Sequence, residues 1–489
     1  MADGTHAIRR IATWLATVVV ATAVVACLNE PAAVGPAGEA AALISAGDSD
    51  LMGPVAQPLE RPITVQVLDE RSKPLVGVSV GWAVTAGGGS VSAPASRSDS
   101  LGRARTVWTL GPGAGIDNNV LTAAVPGLAP VIFTASGAAS ALGPWKHLAV
   151  GVEHTCGVTI SGLFYCWGDN FFGEFGNGTT ASSPTPKAGA PGLELSGFDV
   201  GYDFTCGLTP AGAAYCWGNN QTGALGDGLW DPNVLNPISH PNPIPVKGDL
   251  TFASLSVGWY HVCGLTPAGA AYCWGDNSTG QAGDGITARV RVTPEPVLGN
   301  LVFASISAGL WHTCGVSAEG AAYCWGGGDD PALGDGTSIA RLSPVAVAGG
   351  IQFASISAGG THTCGLDTQG VAYCWGQNAA GEVGDGTAEQ RYSPVPVAGG
   401  LVFASISAGY DHTCGVSKAG VAYCWGHNES GELGVGDRDL HWVPTHVQTG
   451  VLFAGVVARM WYTCGWSLGG GAFCWGGGGS NVPVPVAGP

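Results

Sequence analysis

The cysteines are the residues whose spacing most directly predicts a chemistry. Fourteen of the 15 cysteines fall into seven pairs, and in every pair the second cysteine follows the first by ten residues. The pairs are Cys156 and Cys166, Cys206 and Cys216, Cys263 and Cys273, Cys314 and Cys324, Cys364 and Cys374, Cys414 and Cys424, and Cys464 and Cys474. Structural zinc sites use CxxC-type spacings, which this sequence lacks. We therefore expect seven disulfide bonds, which form in oxidising compartments.

The residues between the paired cysteines indicate how each bond forms. In every copy a glycine lies six residues after the first cysteine, as Gly212 does after Cys206. A three-residue hairpin loop favours glycine at its third position, where φ is positive. With the loop at residues 210–212, Cys206 faces Cys216 on one side of the hairpin. The spacing predicts one disulfide in each hairpin, and the chain-entropy account gives so small a loop about 2.5–3 kcal/mol of stabilisation.

Histidines recur at a second fixed position, two residues before the first cysteine of a pair. Five copies carry one: His154, His261, His312, His362 and His412. A ring of histidines could bind a metal ion or perform acid–base chemistry. Phe204 and Tyr462 occupy the same position in the other two copies. We therefore expect this position to fill the core, with no metal site.

Acidic residues in Gly-Asp-Gly turns raise the question of calcium. Four copies have this sequence, at Asp227, Asp284, Asp335 and Asp385. Each copy offers a single acid there, whereas a calcium-binding loop supplies several oxygen ligands. We expect ordinary turn residues, and calcium stays as the alternative. The sequence also lacks HExxH and Walker-type motifs. We therefore predict no catalytic residues, no cofactor and no enzymatic activity.

Composition and charge narrow the fold and the partners. The chain has 81 Gly and 17 Trp in 489 residues, which favours many short strands joined by tight turns. The formal net charge is -17, with 18 Lys and Arg residues. Nucleic-acid binding relies on cationic contacts to phosphate, so the composition argues against DNA, RNA or an anionic membrane surface as a direct partner.

The cysteine pairs belong to a longer repeat of about 50 residues, which indicates a solenoid or a propeller. Each copy contains about four strand-like pieces, and four strands are one propeller blade. The shared frame "AGxxHTCGLxxxGxxYCWGxNxxGxLGDG" resembles the regulator of chromosome condensation repeat family. This resemblance implies an all-β, seven-bladed β-propeller over residues 142–489. The tryptophan of each "CWG" is then expected to pack between blades: Trp167, Trp217, Trp274, Trp325, Trp375, Trp425 and Trp475.

The N-terminus predicts export. Residues 1–27 combine a basic start with an apolar run that is short for a membrane span, and they end in "VVAC". This end resembles a bacterial lipobox, in which the cysteine is lipidated, and Cys27 is the one cysteine without a partner. A plain secretory signal and an uncleaved anchor are the alternatives. Residues 28–58 are rich in Ala, Gly and Pro, and we expect a flexible linker there.

A separate domain is predicted between the linker and the repeats. Residues 59–137 alternate apolar and polar residues in short runs separated by turns, which is typical of a β-sandwich. The stretches "VLDERSKPLVGVSVGWAVTAGGGSVS", "SDSLGRARTVWTLG" and "NVLTAAVPGLAPVIFTASG" resemble bacterial Ig-like domains of the invasin/intimin type. Members of that family serve as spacers or adhesive stalks, and the resemblance implies no catalytic residues.

Differences between the repeats predict a binding face. Two residues between "AG" and the histidine position vary, and five of the seven copies have Tyr or Trp there. They fall on one connection between strands, hence on one face of the propeller. Aromatic residues beside acids suit protein recognition. The predicted partner-binding residues are Tyr202, Trp259, Tyr260, Trp311, Tyr410 and Trp461.

The resulting hypothesis is a non-enzymatic, exported surface protein that binds another macromolecule. We expect a monomer in the bacterial cell envelope or outside the cell, attached to a membrane through Cys27 alone. The partner is an unidentified protein or cell-surface macromolecule, bound in the manner of a scaffold or inhibitor. The alternative is a guanine-nucleotide exchange factor for a small GTPase, as the best-known nuclear member of the family is. The paired cysteines and the export signal argue against that alternative.

Overall fold

The computed structural model describes residues 39–46, 50–54, 59, 61–111, 115–138, 144–230, 239–327 and 331–486. The regular elements in these ranges are strands, apart from one turn of 3-10 helix at Pro331–Leu333. The prediction of an all-β chain is confirmed. Among the described residues no helix is long and apolar enough to cross a membrane. The predicted signal peptide and its lipidation residue, Cys27, lie outside the described residues.

The N-terminal unit consists of ten strands. They are β1 (Ala40–Ser45), β2 (Asp50–Pro54), β3 (Ile63–Asp69), β4 (Ser79–Ala86), β5 (Ser90–Val91), β6 (Ala95–Arg97), β7 (Arg103–Thr106), β8 (Trp108–Thr109), β9 (Gly115–Ala124) and β10 (Val131–Ala138). One sheet has the order β1-β3-β7, a second has the order β2-β10-β9-β4-β6, and β5 pairs with β8. Val65, Trp82 and Leu121 lie in one buried core to which both larger sheets contribute.

The N-terminal unit begins earlier than the sequence predicts. Residues 28–58 were expected to form a flexible linker, but β1 and β2 lie within that range. Strand β1 pairs antiparallel with β3, and β2 pairs parallel with β10. Leu43 of β1 is 9% exposed and packs in the core of the unit. Backbone pairing and one buried leucine therefore hold a segment whose Ala-rich composition resembles that of a linker.

The C-terminal part contains seven four-stranded sheets, each made of consecutive strands. The first four are β11 (Trp145–Val150), β12 (His154–Thr159), β13 (Phe164–Gly168), β14 (Ser183–Ala188); β15 (Gly197–Val200), β16 (Phe204–Leu208), β17 (Ala214–Asn219), β18 (Ser239–Pro245); β19 (Ser254–Val257), β20 (His261–Leu265), β21 (Ala271–Asp276), β22 (Val290–Pro296); and β23 (Phe303–Ala308), β24 (His312–Ser317), β25 (Ala322–Gly326), β26 (Arg341–Ala346). The last three are β27 (Phe353–Ala358), β28 (His362–Asp367), β29 (Ala372–Gly376), β30 (Arg391–Pro396); β31 (Phe403–Ala408), β32 (His412–Ser417), β33 (Ala422–Gly426), β34 (His441–His446); and β35 (Phe453–Ala458), β36 (Tyr462–Ser467), β37 (Ala472–Gly476), β38 (Val484–Pro485).

The seven sheets follow one another in space as they do in sequence. The first strand of each sheet contacts the first strand of the next, and β35 of the last sheet contacts β11 of the first. The backbone N–H of Trp145 donates a hydrogen bond to the carbonyl of Gly470 across this last junction. We call the seven sheets the sheet ring (residues 145–485). The ring closes by packing of its end sheets, because every sheet takes its four strands from one consecutive stretch.

The hairpin between the second and third strands has the predicted register. Cys206 lies opposite Cys216, and Leu208 lies opposite Ala214. Gly212, at the third position of the loop, has a φ of 82°, a conformation in which other residues are strained. The equivalent glycine has a positive φ in all seven copies. The turn chemistry therefore fixes the register that places the paired cysteines side by side.

Candidate functional site

The predicted binding residues lie on the connections between the first and second strands of the sheets. These connections are residues 151–153, 201–203, 258–260, 309–311, 359–361, 409–411 and 459–461, and we call them together the loop face. Backbone hydrogen bonds join neighbouring loops of this face. For example, the N–H of Trp259 donates to the carbonyl of Gly309 at 3.2 Å, and the N–H of Gly360 donates to that of Gly409 at 2.8 Å. Such bonds join five consecutive pairs of loops, from the loop at 201–203 to the loop at 459–461.

The same loops are also fixed to their own sheets. The carbonyl of Asp203 accepts a hydrogen bond from the N–H of Asn219 at 2.9 Å, and the carbonyl of Trp461 accepts one from Gly477 at 2.6 Å. Equivalent bonds occur in the other five copies. A loop held at both ends loses little conformational entropy on binding. The loop face therefore presents its side chains in a largely pre-formed arrangement.

Five of the six predicted aromatic residues form one continuous cluster. The rings of Tyr202 and Tyr260 stack with centroids 5.2 Å apart, and Tyr260 continues to Trp311 at 5.9 Å. In the other direction Tyr202 contacts Trp259 at 6.1 Å, and Trp259 contacts Tyr410 at 5.4 Å. These residues come from four different sheets. Tyr410 reaches Trp259 across Gly360, where a side chain would collide with its ring.

The prediction that Trp259 contacts a partner needs a correction. The sequence predicts it among the partner-binding residues, but its side chain is 2% exposed. It lies between Tyr202 and Tyr410, and the guanidinium of Arg459 sits 6.0 Å from its ring centroid. Because these neighbours cover it, Trp259 supports the cluster from below and leaves little surface for a partner.

The sixth residue, Trp461, stands apart from the cluster. Its side chain is 45% exposed, and its ring meets that of His427 edge-on at 6.1 Å. It lines a cavity of about 540 Å³ between the last and first sheets, together with Glu153, Met460 and Tyr462. The loop face thus has two aromatic regions, the cluster and the cavity at the ring junction.

Sequence reasoning did not single out Arg459 and Asp199, two residues with ionisable side chains at the centre of the ring. Arg459 occupies the place of the glycine in "AG", and it donates hydrogen bonds to the carbonyls of Val200 and Val257 at 2.6 and 3.0 Å. Asp199 occupies a position that is Ser307 in the fourth copy, and it accepts hydrogen bonds from two backbone N–H groups. Burial raises the pKa of Asp199, and the charge of Arg459 opposes this rise. The signal in the sequence was that both residues depart from the repeat.

The five recurring histidines are buried between sheets, as the sequence predicts, and they also form hydrogen bonds. His154, His261, His312, His362 and His412 are 0–3% exposed. Nε2 of His362 lies 2.7 Å from Oγ1 of Thr413 in the next sheet, and that hydroxyl donates to the carbonyl of Glu382 at 2.8 Å. The hydroxyl proton is therefore already used, so Nε2 of His362 must carry a proton and donate. Trp425 donates to the same carbonyl at 3.0 Å.

Burial determines the charge of these histidines. Desolvation lowers the pKa of His154, His261, His362 and His412 to about 3 and that of His312 to about 4. In His261 and His412 the second nitrogen, Nδ1, has no hydrogen-bond partner among the described residues, so no acceptor there compensates for a second proton. All five are neutral at pH 7, and each joins its sheet to the next one.

Of the two exceptions to histidine, Phe204 is matched by a change in the next copy, whereas Tyr462 is not, because the first copy keeps Thr155. The second copy has Phe204 in place of histidine, and the third copy has Val262 in place of the threonine. An apolar pair therefore replaces the polar pair at that junction, while Trp274 still donates to the carbonyl of Ala224 at 2.9 Å. This matched change was visible in the sequence. It indicates that the position does more than fill space.

Comparison with known proteins places the sheet ring in a family. A model of the RCC1-like domain matches residues 137–471, which is more than half of the chain. The chain belongs to the RCC1-like domain family. The match includes the repeats that carry the loop face and the histidine junctions.

Curated relatives share parts of the RCC1-like domain. The ultraviolet-B receptor UVR8 of Arabidopsis thaliana is 27% identical over 202 residues, which cover 40% of this chain and 44% of the receptor. Human RCC1 domain-containing protein 1 is 36% identical over 84 residues, or 17% of this chain and 22% of that protein. The chain therefore spans less than half the length of these curated relatives.

Solved structures support the same fold. Prp20p from Saccharomyces cerevisiae superposes with a TM-score of 0.58 at 21% identity, covering 66% of this chain and 83% of that one. Human WBSCR16 superposes with a TM-score of 0.59 at 19% identity, covering 72% and 91%. At these identities the likeness concerns the fold of the RCC1-like domain alone.

The Gly-Asp-Gly acids of the RCC1-like domain lie in turns. Asp284, Asp335 and Asp385 form ion pairs with Arg291, Arg341 and Arg391, respectively. Asp227 accepts hydrogen bonds from the Asn220 side chain and the Leu229 N–H, each at 3.0 Å. Their oxygens stabilise the turns themselves. In the described ranges, no three His, Cys, Asp or Glu residues lie close enough together to hold a metal ion.

The paired cysteines of the RCC1-like domain lie at disulfide distance. The Cα atoms of each of the seven pairs are 4.1 Å apart, and the two sulfurs are bonded. All fourteen side chains are buried. Each bond connects the second and third strands of one sheet. The disulfides therefore hold individual sheets, whereas the histidine–threonine pairs hold one sheet to the next.

Proposed function

We propose that this chain is a non-enzymatic, exported surface protein whose RCC1-like domain, a seven-bladed propeller, binds another protein through the loop face. The observation that carries the proposal is the continuous aromatic cluster from Trp311 to Tyr410, with the exposed Trp461 beside it. Tyr and Trp dominate the binding energy of many interfaces. Because backbone hydrogen bonds hold these loops, the face is pre-organised for a partner.

Solved relatives support binding as a general role of this fold. The structure of Prp20p is described together with its binding to Gsp1p and histones, and a second structure has that yeast protein bound to Kap60. Those partners are properties of the yeast protein. For this chain we carry over protein binding in general and leave the partner to be identified by experiment.

The first test removes two aromatic side chains of the loop face, the half-buried Trp311 and the exposed Trp461. We expect the variant Trp311→Ala/Trp461→Ala to bind its partner about thirtyfold or more weakly, because loss of a single interface tryptophan can cost about 2 kcal/mol. Trp442→Ala is the matched control: Trp442 is 46% exposed, almost as Trp461 is, but lies on the outer strand β34. Capture from envelope extract, followed by affinity measurement with the purified partner, gives the result. Equal affinity of the two variants would exclude the loop face.

The exchange-factor hypothesis makes a different prediction. It requires that the purified chain accelerate nucleotide release from a small GTPase, whereas the proposed function predicts no acceleration. The loop-face geometry does not favour it over simple binding. A release assay with a bacterial small GTPase separates the two hypotheses.

Export and membrane attachment are part of the same proposal. Seven disulfides suit an oxidising compartment, and the first 27 residues have the pattern of a lipoprotein signal. We further propose that the N-terminal unit is an Ig-like spacer, since its two larger sheets share one core and contain no cysteine. It would hold the propeller away from the membrane.

Intact mass of protein from the native host tests this attachment. We expect the loss of residues 1–26 and a lipid-sized increment on Cys27. A mature chain that starts after Cys27 without lipid would indicate plain secretion instead. A full-length chain with all fifteen thiols free would contradict export, because those thiols would indicate a reducing compartment.

A further inference from the structure

The aromatic cluster of the loop face encloses a small cavity with an acid in its wall. The cavity has a volume of about 160 Å³ and lies between the second and third sheets. Its lining residues include Tyr202 and Tyr260, whose rings stack, together with Asp203, Asn219 and Gln221. Its size suits the end of one side chain rather than a whole small-molecule ligand.

The charges around this cavity are negative. Asp203 is part of its wall, and Glu153 and Asp169 lie near enough to affect the pKa of Asp203. Desolvation by the surrounding residues raises the pKa of Asp203 to about 6, and the side chain of Asn219 opposes this rise by hydrogen bonding. Arg459, which lies against Trp259 of the cluster, is bound to the carbonyls of Val200 and Val257. Among the described residues, the charged groups that act on the Asp203 carboxylate are the acids Glu153 and Asp169.

We propose that this cavity binds the guanidinium group of an arginine side chain on the partner protein. The inference rests on the proposed function, because it specifies the chemistry of that partner. A guanidinium is planar, so it stacks on a tyrosine ring while its edge donates hydrogen bonds to a carboxylate. Tyr202 and Tyr260 supply the aromatic wall of the cavity, and Asp203 supplies the acceptor. Lysine is the weaker candidate, because its ammonium is strongly hydrated and cannot stack.

Short peptides test the proposal without the natural partner. The probe is N-acetyl-Gly-Arg-Gly-amide, and the control peptide contains citrulline, which has the shape of arginine without its charge. We expect the arginine peptide to bind at least tenfold more tightly in calorimetric titrations at pH 7.5. The lysine peptide should fall between the two. Equal binding of the arginine and citrulline peptides would overturn the proposal.

A pair of variants locates the binding. Asp203→Asn should abolish the preference for arginine over citrulline, and its backbone carbonyl, which accepts from Asn219, is unchanged. Asp411→Asn is the matched control, because Asp411 occupies the same position in the sixth copy and the charge change is the same. We expect that variant to keep the preference. A preference that survives Asp203→Asn would place the site elsewhere, and circular dichroism of both variants checks that they fold.

The pH dependence provides a readout that a structural role of Asp203 would not produce. The affinity for the arginine peptide should rise as the pH increases through about 6, because the carboxylate must be ionised to bind the cation. Asp203→Asn should show no such rise. These titrations use the purified chain, so their failure would leave the proposed function intact. Conversely, if Trp311→Ala/Trp461→Ala retains partner capture, the proposed function fails whatever the peptides do.

Discussion

Reduction of the seven disulfides should unfold the sheet ring at 25 °C without denaturant. Each bond closes a loop between cysteines ten residues apart. The chain-entropy account gives about 2.5–3 kcal/mol per loop, hence about 18–21 kcal/mol for seven independent loops. A folded domain is typically more stable than its unfolded chain by about 5–15 kcal/mol. The disulfide contribution alone is therefore as large as the whole stability that a domain usually has.

The measurement is urea unfolding with and without reductant, followed by circular dichroism and tryptophan fluorescence. The N-terminal unit (residues 40–138) contains no cysteine and provides an internal control, because its own transition should not move. Alkylation should label fourteen thiols after reduction and none before it. If the chain with fourteen free thiols unfolds at the same urea concentration as the oxidised chain, the disulfides do not carry the stability of the ring.

A variant that lacks one disulfide measures how much a single bond contributes to the free energy of unfolding. Cys364→Ala/Cys374→Ala removes one disulfide and should lower the free energy of unfolding by about 2.5–3 kcal/mol. The sulfurs are fully buried, so the small cavities left by the alanines add to this loss. Cys364→Ala alone separates the two causes, because it breaks the same bond but leaves one thiol in place.

The hairpin register was predictable from the sequence because it depends on local rules. A glycine six residues after the first cysteine fixes the turn, and the turn fixes which residues face each other. The same local chemistry repeats seven times, so an error in one copy would have been visible against the others. Cys206 and Cys216 therefore met in the structure as counted from the sequence.

The strands before residue 59 were not predictable in this way. Segment 40–54 is poor in large apolar residues, and its strands pair with β3 and β10, which follow later in the chain. Such pairing depends on tertiary contacts that local propensity does not encode. The burial of Leu43 is the one feature of β1 that a pattern could have indicated.

The loop face shows the same division between local and long-range information. Repeat comparison identified the positions of Tyr202, Tyr260 and Tyr410, because each lies three or four residues before the first cysteine of its copy. It could not show that Tyr410 passes over Gly360 and contacts Trp259, which lies three copies away. Nor could it show that Trp259 is buried and therefore not available to a partner. Contacts across the ring follow from how the seven copies surround a common centre.

Comparison of the copies could have predicted that the histidine of one copy contacts the threonine of the next. Phe204 and Val262 change together, in neighbouring copies, at the two positions that elsewhere are histidine and threonine. Residues that change together are expected to touch. The structure has this contact as a hydrogen bond in five junctions, from His154 in the first copy to His412 in the sixth.

Acidification from pH 6.5 to 4.5 should sharply lower the free energy of unfolding, because of these five histidines. Their pKa values are about 3 or 4 in the folded chain, against 6.5 for a free histidine. The unfolded chain therefore binds protons that the folded chain does not. Their stabilising contribution is fully present above pH 6.5 and is lost as the pH falls toward 3.

Two buried glutamates act in the opposite direction and set the size of the effect. Desolvation raises the pKa of Glu174 to about 8 and that of Glu382 to about 7, so the folded chain retains protons there that the unfolded chain releases. Their contribution is present below pH 4.5 and is lost as the pH rises toward 8. One proton changes the free energy by about 1.4 kcal/mol per pH unit. Asp203, whose pKa is raised to about 6, acts in the same direction as the glutamates. Five histidines against these three carboxyl groups give a net slope of about 3 kcal/mol per pH unit near pH 5.5, with a maximum of stability near pH 6.5–7.

The pair Phe204 and Val262 suggests a test of this dependence of the free energy of unfolding on pH. His362→Phe/Thr413→Val copies the pair Phe204 and Val262, and it should reduce the slope by about 1.4 kcal/mol per pH unit because one buried histidine is removed. Thr413→Val alone should keep the slope but lower stability by about 1–3 kcal/mol at every pH, since it leaves the Nε2–H of His362 without an acceptor. Urea unfolding of the three chains between pH 4.5 and 7 measures both effects. An unchanged slope in the double variant would mean that His362 takes up its proton in the folded chain, and that burial between the sheets does not keep it neutral.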